Sequence, residues 1–151
     1  MVNGKWIWTR QGLNSQPEYV LFRKEAQLTA VPEHVFLTVS ADSRYILWIN
    51  GQRVCRGPAR CGGPVRYTDR VDIAPYLRVG ANTLAADVIH YVGDEQTALR
   101  FEAGPCSVRA TGQGGFLIQG DPLWSTDGSY ACLQLDGYSF HPARINGYLG
   151  F

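Results

Sequence analysis

Apolar and polar residues alternate every second position over short stretches of the chain, and clusters of Gly, Pro, Asn and Asp separate these stretches. Such runs cover residues 19–23, 35–40, 44–50, 83–91, 99–101, 115–118 and 130–135. Successive side chains of a strand point to opposite faces, so a period of two marks a strand with one face buried. No window of helical length carries a clean 3.6-residue apolar period. Short strands punctuated by turn residues have the spacing of a sandwich or barrel. The pattern therefore predicts an all-β chain, a two-sheet antiparallel β-sandwich, folded as a single domain over residues 1–151.

The clearest local element is a hairpin. Tyr45, Leu47 and Ile49 alternate with Ile46 and Trp48, and Asn50-Gly51 follows before Gln52-Arg53-Val54. An Asn-Gly pair tolerates the two positive φ angles of a tight turn. The Leu47/Ile49 face is expected to be buried, which turns Trp48 to the opposite side. Residues 72–77 read as one short helical turn, with Asp72 accepting backbone N–H bonds and Pro75 in the first turn. Gly80 and Asn82 read as a loop ahead of the strand carrying Leu84, Ala86 and Val88, and residues 104–115, rich in Gly and small side chains, as an exposed connection.

Composition narrows the class. The chain has 151 residues, 45% hydrophobic and 18% charged, with a formal charge of +1. It is long enough for one core and too apolar for a disordered segment. The near-neutral balance argues against a nucleic-acid binder, which carries a strongly basic face. No apolar run approaches the roughly 18 residues that span a bilayer, so no membrane partner is expected. The opening Met1-Val2-Asn3-Gly4-Lys5-Trp6 is not a basic-then-apolar leader, which favours a cytoplasmic location, although a domain excised from a secreted protein would also lack one.

No catalytic constellation can be assigned. A glycosidase needs two carboxylates facing each other across a sugar, about 5–10 Å apart. The acids here, Asp69, Asp72, Asp87, Asp94, Glu95 and Glu102, mostly adjoin turns, where Asp satisfies backbone N–H groups. His34, His90 and His141 lie far apart, and His90 is in phase with Leu84, Ala86 and Val88, as expected of a core or edge histidine. No cofactor is expected. A structural calcium ion near Asp69, Asp72 and Asp87 is the one conceivable addition, without EF-hand spacing behind it. The four cysteines, Cys55, Cys61, Cys106 and Cys132, lack the close pair of a zinc or redox motif. They read either as reduced thiols or as including a small Cys55–Cys61 disulfide loop.

Arginines are more informative. Residues 53–70 hold Arg53, Arg56, Arg60, Arg66 and Arg70 against the one acid Asp69, in a chain with only two lysines. Guanidinium groups bind carboxylates and vicinal hydroxyls through paired hydrogen bonds and stack on rings. Either this segment meets an acidic glycan or a neighbouring domain, or it is a solvated turn with Arg66 or Arg70 paired to Asp69. Among the tryptophans, Trp6 and Trp124 are expected in the core, and Trp48 is the candidate for a sugar platform. Trp48, Arg56, Arg60 and Arg66 are thus the candidate binding residues.

These phrases also occur in a telling order. Phe22-Arg23-Lys24, Trp48-Ile49-Asn50-Gly51, Arg56-Gly57-Pro58-Ala59-Arg60 and Asp72-Ile73-Ala74-Pro75-Tyr76-Leu77 precede Gly80-Ala81-Asn82-Thr83-Leu84. Phe116-Leu117-Ile118 and Thr126-Asp127-Gly128-Ser129 follow. Over about residues 6–135 the series resembles the N-terminal domain of bacterial α-L-rhamnosidases, with Tyr130 standing where that family usually has Trp. The resemblance implies a jelly-roll sandwich of the galactose-binding type, joined to a larger (α/α) barrel that supplies the catalytic carboxylates. It implies a non-catalytic accessory domain, not an enzyme as an isolated chain, whose partner is the parent catalytic domain or a rhamnose-containing glycan. A free-standing carbohydrate-binding module and a structural spacer are the alternatives.

Overall fold

The computed structural model describes residues 4–8, 18–59, 67–90, 115–121, 123–126 and 130–134. Among them are eight strands and one 3₁₀ turn: β1 (Glu18–Leu28), β2 (Phe36–Ala41), β3 (Arg44–Ile49), β4 (Gln52–Gly57), β5 (Asp69–Asp72), the turn η1 (Ala74–Tyr76), β6 (Gly80–His90), β7 (Phe116–Gln119) and β8 (Ala131–Gln134). No helix among these residues is long and apolar enough to cross a membrane.

The strands form two sheets, one of five strands in the order β4-β3-β6-β1-β8 and one of three in the order β5-β2-β7. Every pairing is antiparallel. The backbone of the larger sheet is the β1–β6 ladder, which runs without a break from Glu18↔His90 to Leu28↔Gly80. The expected two-sheet antiparallel β-sandwich is thus what the chain forms.

Burial of one face holds the sheets together. Val20, Phe22, Tyr45, Leu47, Ile49, Leu84, Ala86 and Val88 point inward from the larger sheet and meet Leu37, Val39, Phe116 and Ile118 of the smaller one in a single apolar cluster. The Phe22 and Phe116 rings stack across the interface with centroids 5.0 Å apart. Burying apolar surface at about 25 cal/mol per Å² is the main favourable term, and the strict alternation lets two thin sheets achieve it.

Several sequence expectations need correction. Gly80 and Asn82 belong to β6, with Asn82 only 1% exposed. The inward pull of Leu84, Ala86 and Val88 extends back to Asn82 because its side-chain amide is satisfied internally. Arg56 and Gly57 lie in β4, so the expected loop begins only at Pro58. The four-residue strand β5, with three charged residues in Asp69–Asp72, has no apolar alternation to reveal it. Trp124 is in the core, but Trp6 is 45% exposed. Ile7 makes the bridge to Phe116, and Trp6 lies against Gly115, where a Cβ would sit 2.7 Å from its ring. Gly115 is itself buried and does not belong to an exposed connection. The strand expected at residues 99–101 and residues 104–114 lie outside the described residues.

The short turn forms as expected. Asp72 Oδ1 accepts from the backbone N–H of Ala74 at 3.0 Å and of Val35 at 2.9 Å. One carboxylate, from the residue before the N-cap Ile73, therefore ties the first residue of the turn to the residue ahead of β2.

Candidate functional site

The β3–β4 hairpin sets the geometry of the site. Asn50 and Gly51 have φ angles of 49° and 79°, the left-handed pair a tight two-residue turn requires. Tyr45, Leu47 and Ile49 are fully buried, so Trp48 faces outward and is 36% exposed, as its phase predicts. A bulge between Leu47 and Trp48 sets Arg53 opposite Trp48 and Arg56 opposite Ile46.

Register then builds an outer face on the five-stranded sheet. One row across four strands reads Arg53, Trp48, Ala85, Arg23. The next reads Arg56, Ile46, Asp87, Leu21. An indole and three aliphatic side chains are thereby set among three arginines and Asp87. Of the four candidate binding residues, the structure brings Trp48 and Arg56 onto this face; Arg60 and Arg66 lie outside the described residues.

A groove of about 400 Å³ opens beside Trp48, lined by Arg23, Trp48, Asn50, Gly51, Arg78, Thr83 and Ala85. Arg78 Nε donates to the Ala81 carbonyl at 3.0 Å, which anchors one edge of its guanidinium. Arg23 reaches Glu25 at 2.7 Å, an exposed pair. Sequence reasoning passed over Arg23 and Arg78 because neither lies in the arginine-rich segment. The signal was their register: Arg23 is two strands from Trp48, across Ala85.

The remaining polar clusters are accounted for by structure. His90 is 2% exposed, and its Nδ1 lies 3.1 Å from Asp42 Oδ2, as its phase with the apolar positions of β6 implied. His34 is at the surface, with Nδ1 donating to Asp72 Oδ2 at 2.7 Å. That bond, with the Val35 and Ala74 N–H groups, holds the Asp72 carboxyl down at about 2. His141 lies outside the described residues. Asp69 accepts from the Tyr45 hydroxyl at 2.6 Å. Burial pushes the Tyr45 phenol far above its ordinary range, and the neighbouring Cys55 thiol and Asp69 carboxylate act in the same direction.

Asp69, Asp72 and Asp87 do not converge, and the described residues contain no group of three or more His, Cys, Asp or Glu that could hold a metal. Cys55 is a free, half-buried thiol, raised in pKa mainly by burial. Cys61, the other half of the expected disulfide loop, lies outside the described residues.

The fold and this face together define an antiparallel β-sandwich module whose larger sheet displays an aromatic residue among arginines. Comparison with known proteins sharpens the class. No family model matches the chain, and neither does any curated protein. Solved structures do. The chain is similar to a segment of the GH78 family rhamnosidase of Bacillus sp. GL1, at 30% identity and a TM-score of 0.70, over 90% of this chain and 14% of that enzyme. It also shares its fold with segments of the α-L-rhamnosidases of Dictyoglomus thermophilum (16% identity, TM-score 0.58, 86% of this chain and 16% of that one) and of Streptomyces avermitilis, solved with L-rhamnose (16%, 0.51, 93% and 13%). The resemblance read from the ordered sequence phrases is therefore matched by structure. The chain spans about one seventh of the length of the Bacillus enzyme.

Proposed function

We propose that the chain is a non-catalytic accessory domain of an α-L-rhamnosidase-like glycoside hydrolase, which packs against or assists a separate catalytic domain. One observation carries this reading: 90% of the chain aligns with only 14% of the Bacillus rhamnosidase. An unrelated module that happened to share the sandwich would not be expected to keep 30% identity in the same alignment. A second reading, a carbohydrate-binding module, draws its support from the exposed Trp48 and the groove beside it. Aromatic faces pack on apolar faces of ligands, and arginines supply paired donors.

The test has two parts. The purified chain is assayed with an aryl α-L-rhamnoside, and no turnover above buffer is expected. The chain is then added to the Bacillus sp. GL1 enzyme from which the matching segment has been deleted. Sedimentation should show a one-to-one complex, with recovery of thermal stability. Turnover that tracks the purified chain, or the absence of any complex, overturns the accessory role.

A further inference from the structure

We propose that the groove beside Trp48 binds an acidic glycan, with a uronic acid residue seated over Ala85 between Trp48 and Arg23 and its carboxylate held by Arg78 and Arg23. The site deepens the glycan-assisting side of the proposed function and rests on that reading for its ligand class.

Three features of the groove carry the inference. First, its floor has the right size. Trp48, Ala85 and Arg23 are register partners on three successive strands. Strands lie about 4.8 Å apart, so the indole and the guanidinium stem rise from backbones roughly 10 Å apart, on either side of a methyl group. A single pyranose ring fits between them with one C–H face towards the indole.

Second, the lining is rich in donors and poor in acceptors. Sugar hydroxyls both accept and donate, so guanidinium groups satisfy only their accepting side, and the donating side calls for carboxylate or amide oxygens. No Asp or Glu lines the groove itself, and the adjoining Glu25, register partner of Thr83, is paired with Arg23. The one amide, Asn50, is committed to the fold: Oδ1 accepts from Thr83 N at 2.9 Å, and Nδ2 donates to Tyr76 O at 2.9 Å and Asn82 Oδ1 at 2.8 Å. What remains is the Thr83 hydroxyl and two guanidinium groups, a set that matches a carboxylate better than a neutral diol.

Third, one arginine is pre-set and the other is exchangeable. Arg78 is braced through Nε on the Ala81 carbonyl, which leaves its two terminal nitrogens for a ligand. Bracing lowers the ordering cost of binding. Arg23 is engaged with Glu25 in a solvent-exposed pair, with side chains 60% and 70% exposed. Exposed pairs of this kind contribute little, so a ligand carboxylate can take the place of Glu25. Arg53, on the far side of Trp48, adds positive field to the same face.

The experiment uses the whole chain and isothermal titration with four probes: tetragalacturonate, its methyl ester, a hyaluronan tetrasaccharide and L-rhamnose. At least one of the two acidic oligosaccharides should bind, the ester and L-rhamnose at least about tenfold more weakly, as expected when a charge-assisted pair is removed. Raising NaCl from low to high concentration should weaken the acidic ligand several-fold, because the groove is open to solvent. Trp48→Ala and Arg78→Gln should each weaken binding about tenfold while leaving the unfolding transition in place. Arg23→Gln, also exposed, gives an independent reading if either variant proves unstable. Failure of both acidic probes to bind overturns the site, as does equal binding of ester and acid, or binding that survives Trp48→Ala and Arg78→Gln. Such a failure, with an inactive chain that still complexes the truncated rhamnosidase, removes the groove and leaves the accessory role. Turnover by the chain alone removes the accessory role whatever the groove binds.

Discussion

Asn50 Nδ2 donates to Asn82 Oδ1 at 2.8 Å, joining the turn of the β3–β4 hairpin to the first residues of β6. These two residues come from the phrases Trp-Ile-Asn-Gly and Gly-Ala-Asn-Thr-Leu, which lie thirty-two positions apart. Asn82 also accepts from Arg78 N at 2.9 Å and donates to Arg78 O at 2.6 Å and Gly80 O at 2.9 Å. Two short motifs that resemble one family's sequence are thus halves of a single hydrogen-bond network at one end of the larger sheet. The same network holds Asn50, Thr83 and Arg78 around the groove.

Asn82→Ala is expected to destabilise the chain by about 2–4 kcal/mol, because it strands several part-buried partners at about 1–3 kcal/mol for each unsatisfied group. Asn50→Gly removes the other half without straining the positive φ. In urea unfolding, the double variant should cost clearly less than the two single losses added together, with a coupling of about 0.5–3 kcal/mol. Additive losses would show that the two amides act independently.

The turn itself makes a second prediction. Nothing lies within 4 Å of a Cβ built at Gly51, whose φ is 79°. Space is therefore available, and backbone conformation alone penalises a side chain there. Gly51→Val should destabilise by about 1–3 kcal/mol, the cost of holding a β-branched residue in this region, and Gly51→Asn by much less. Thermal melts of the two variants check this, and equal melting temperatures would place the constraint elsewhere.

Much of the sandwich was legible because it follows from alternation. Most inward positions of β1, β2, β3, β6 and β7 are apolar, and the Asn-Gly turn needs no tertiary information. Trp48 could be placed outward by phase alone. Asn82 could not be read as buried, since an amide next to Gly80 and Ala81 has the composition of a loop until its four partners are known. Trp6 was misplaced because a single bridge at Ile7, not a long strand, decides which way it faces. The groove was legible only in part. Trp48 was visible in the pattern, but Arg23 and Arg78 reach it through pairing register and loop geometry, which depend on residues far away in sequence.

Acid sensitivity follows from Asp72. Its carboxyl is held near 2, below the ordinary value of 3.8, by His34 first and then by the N–H groups of Val35 and Ala74. A group whose folded pKa is depressed adds stability above its unfolded pKa and loses it as pH falls towards its folded pKa. Asp72 should therefore support the fold fully above about pH 5 and lose that support progressively between about pH 4 and 2. Asp72→Asn should lower stability at neutral pH and flatten the acid limb in that window. An acid limb identical to that of the unaltered chain would show that other carboxylates set it.

Gly57 is a close-approach glycine. It pairs with Tyr45 across β3 and β4, and a Cβ there would lie 1.9 Å from Asp69 Oδ2 and 3.0 Å from the Tyr45 ring. That is the carboxylate oxygen to which the buried Tyr45 hydroxyl donates at 2.6 Å. Gly57→Ala must therefore displace the Asp69 carboxylate, leaving the phenol only the weak Cys55 sulfur at 3.7 Å. The expected loss is about 1.5–3 kcal/mol, the range for a hydrogen bond to a charged group. Tyr45→Phe, which removes the hydroxyl and keeps the ring, should cost a similar amount in the unaltered chain. In the Gly57→Ala background it should cost much less, because the bond is already gone. Urea unfolding of the four proteins measures both steps. If Tyr45→Phe is equally costly in both backgrounds, the glycine serves the packing of β4 and not the Tyr45–Asp69 bond.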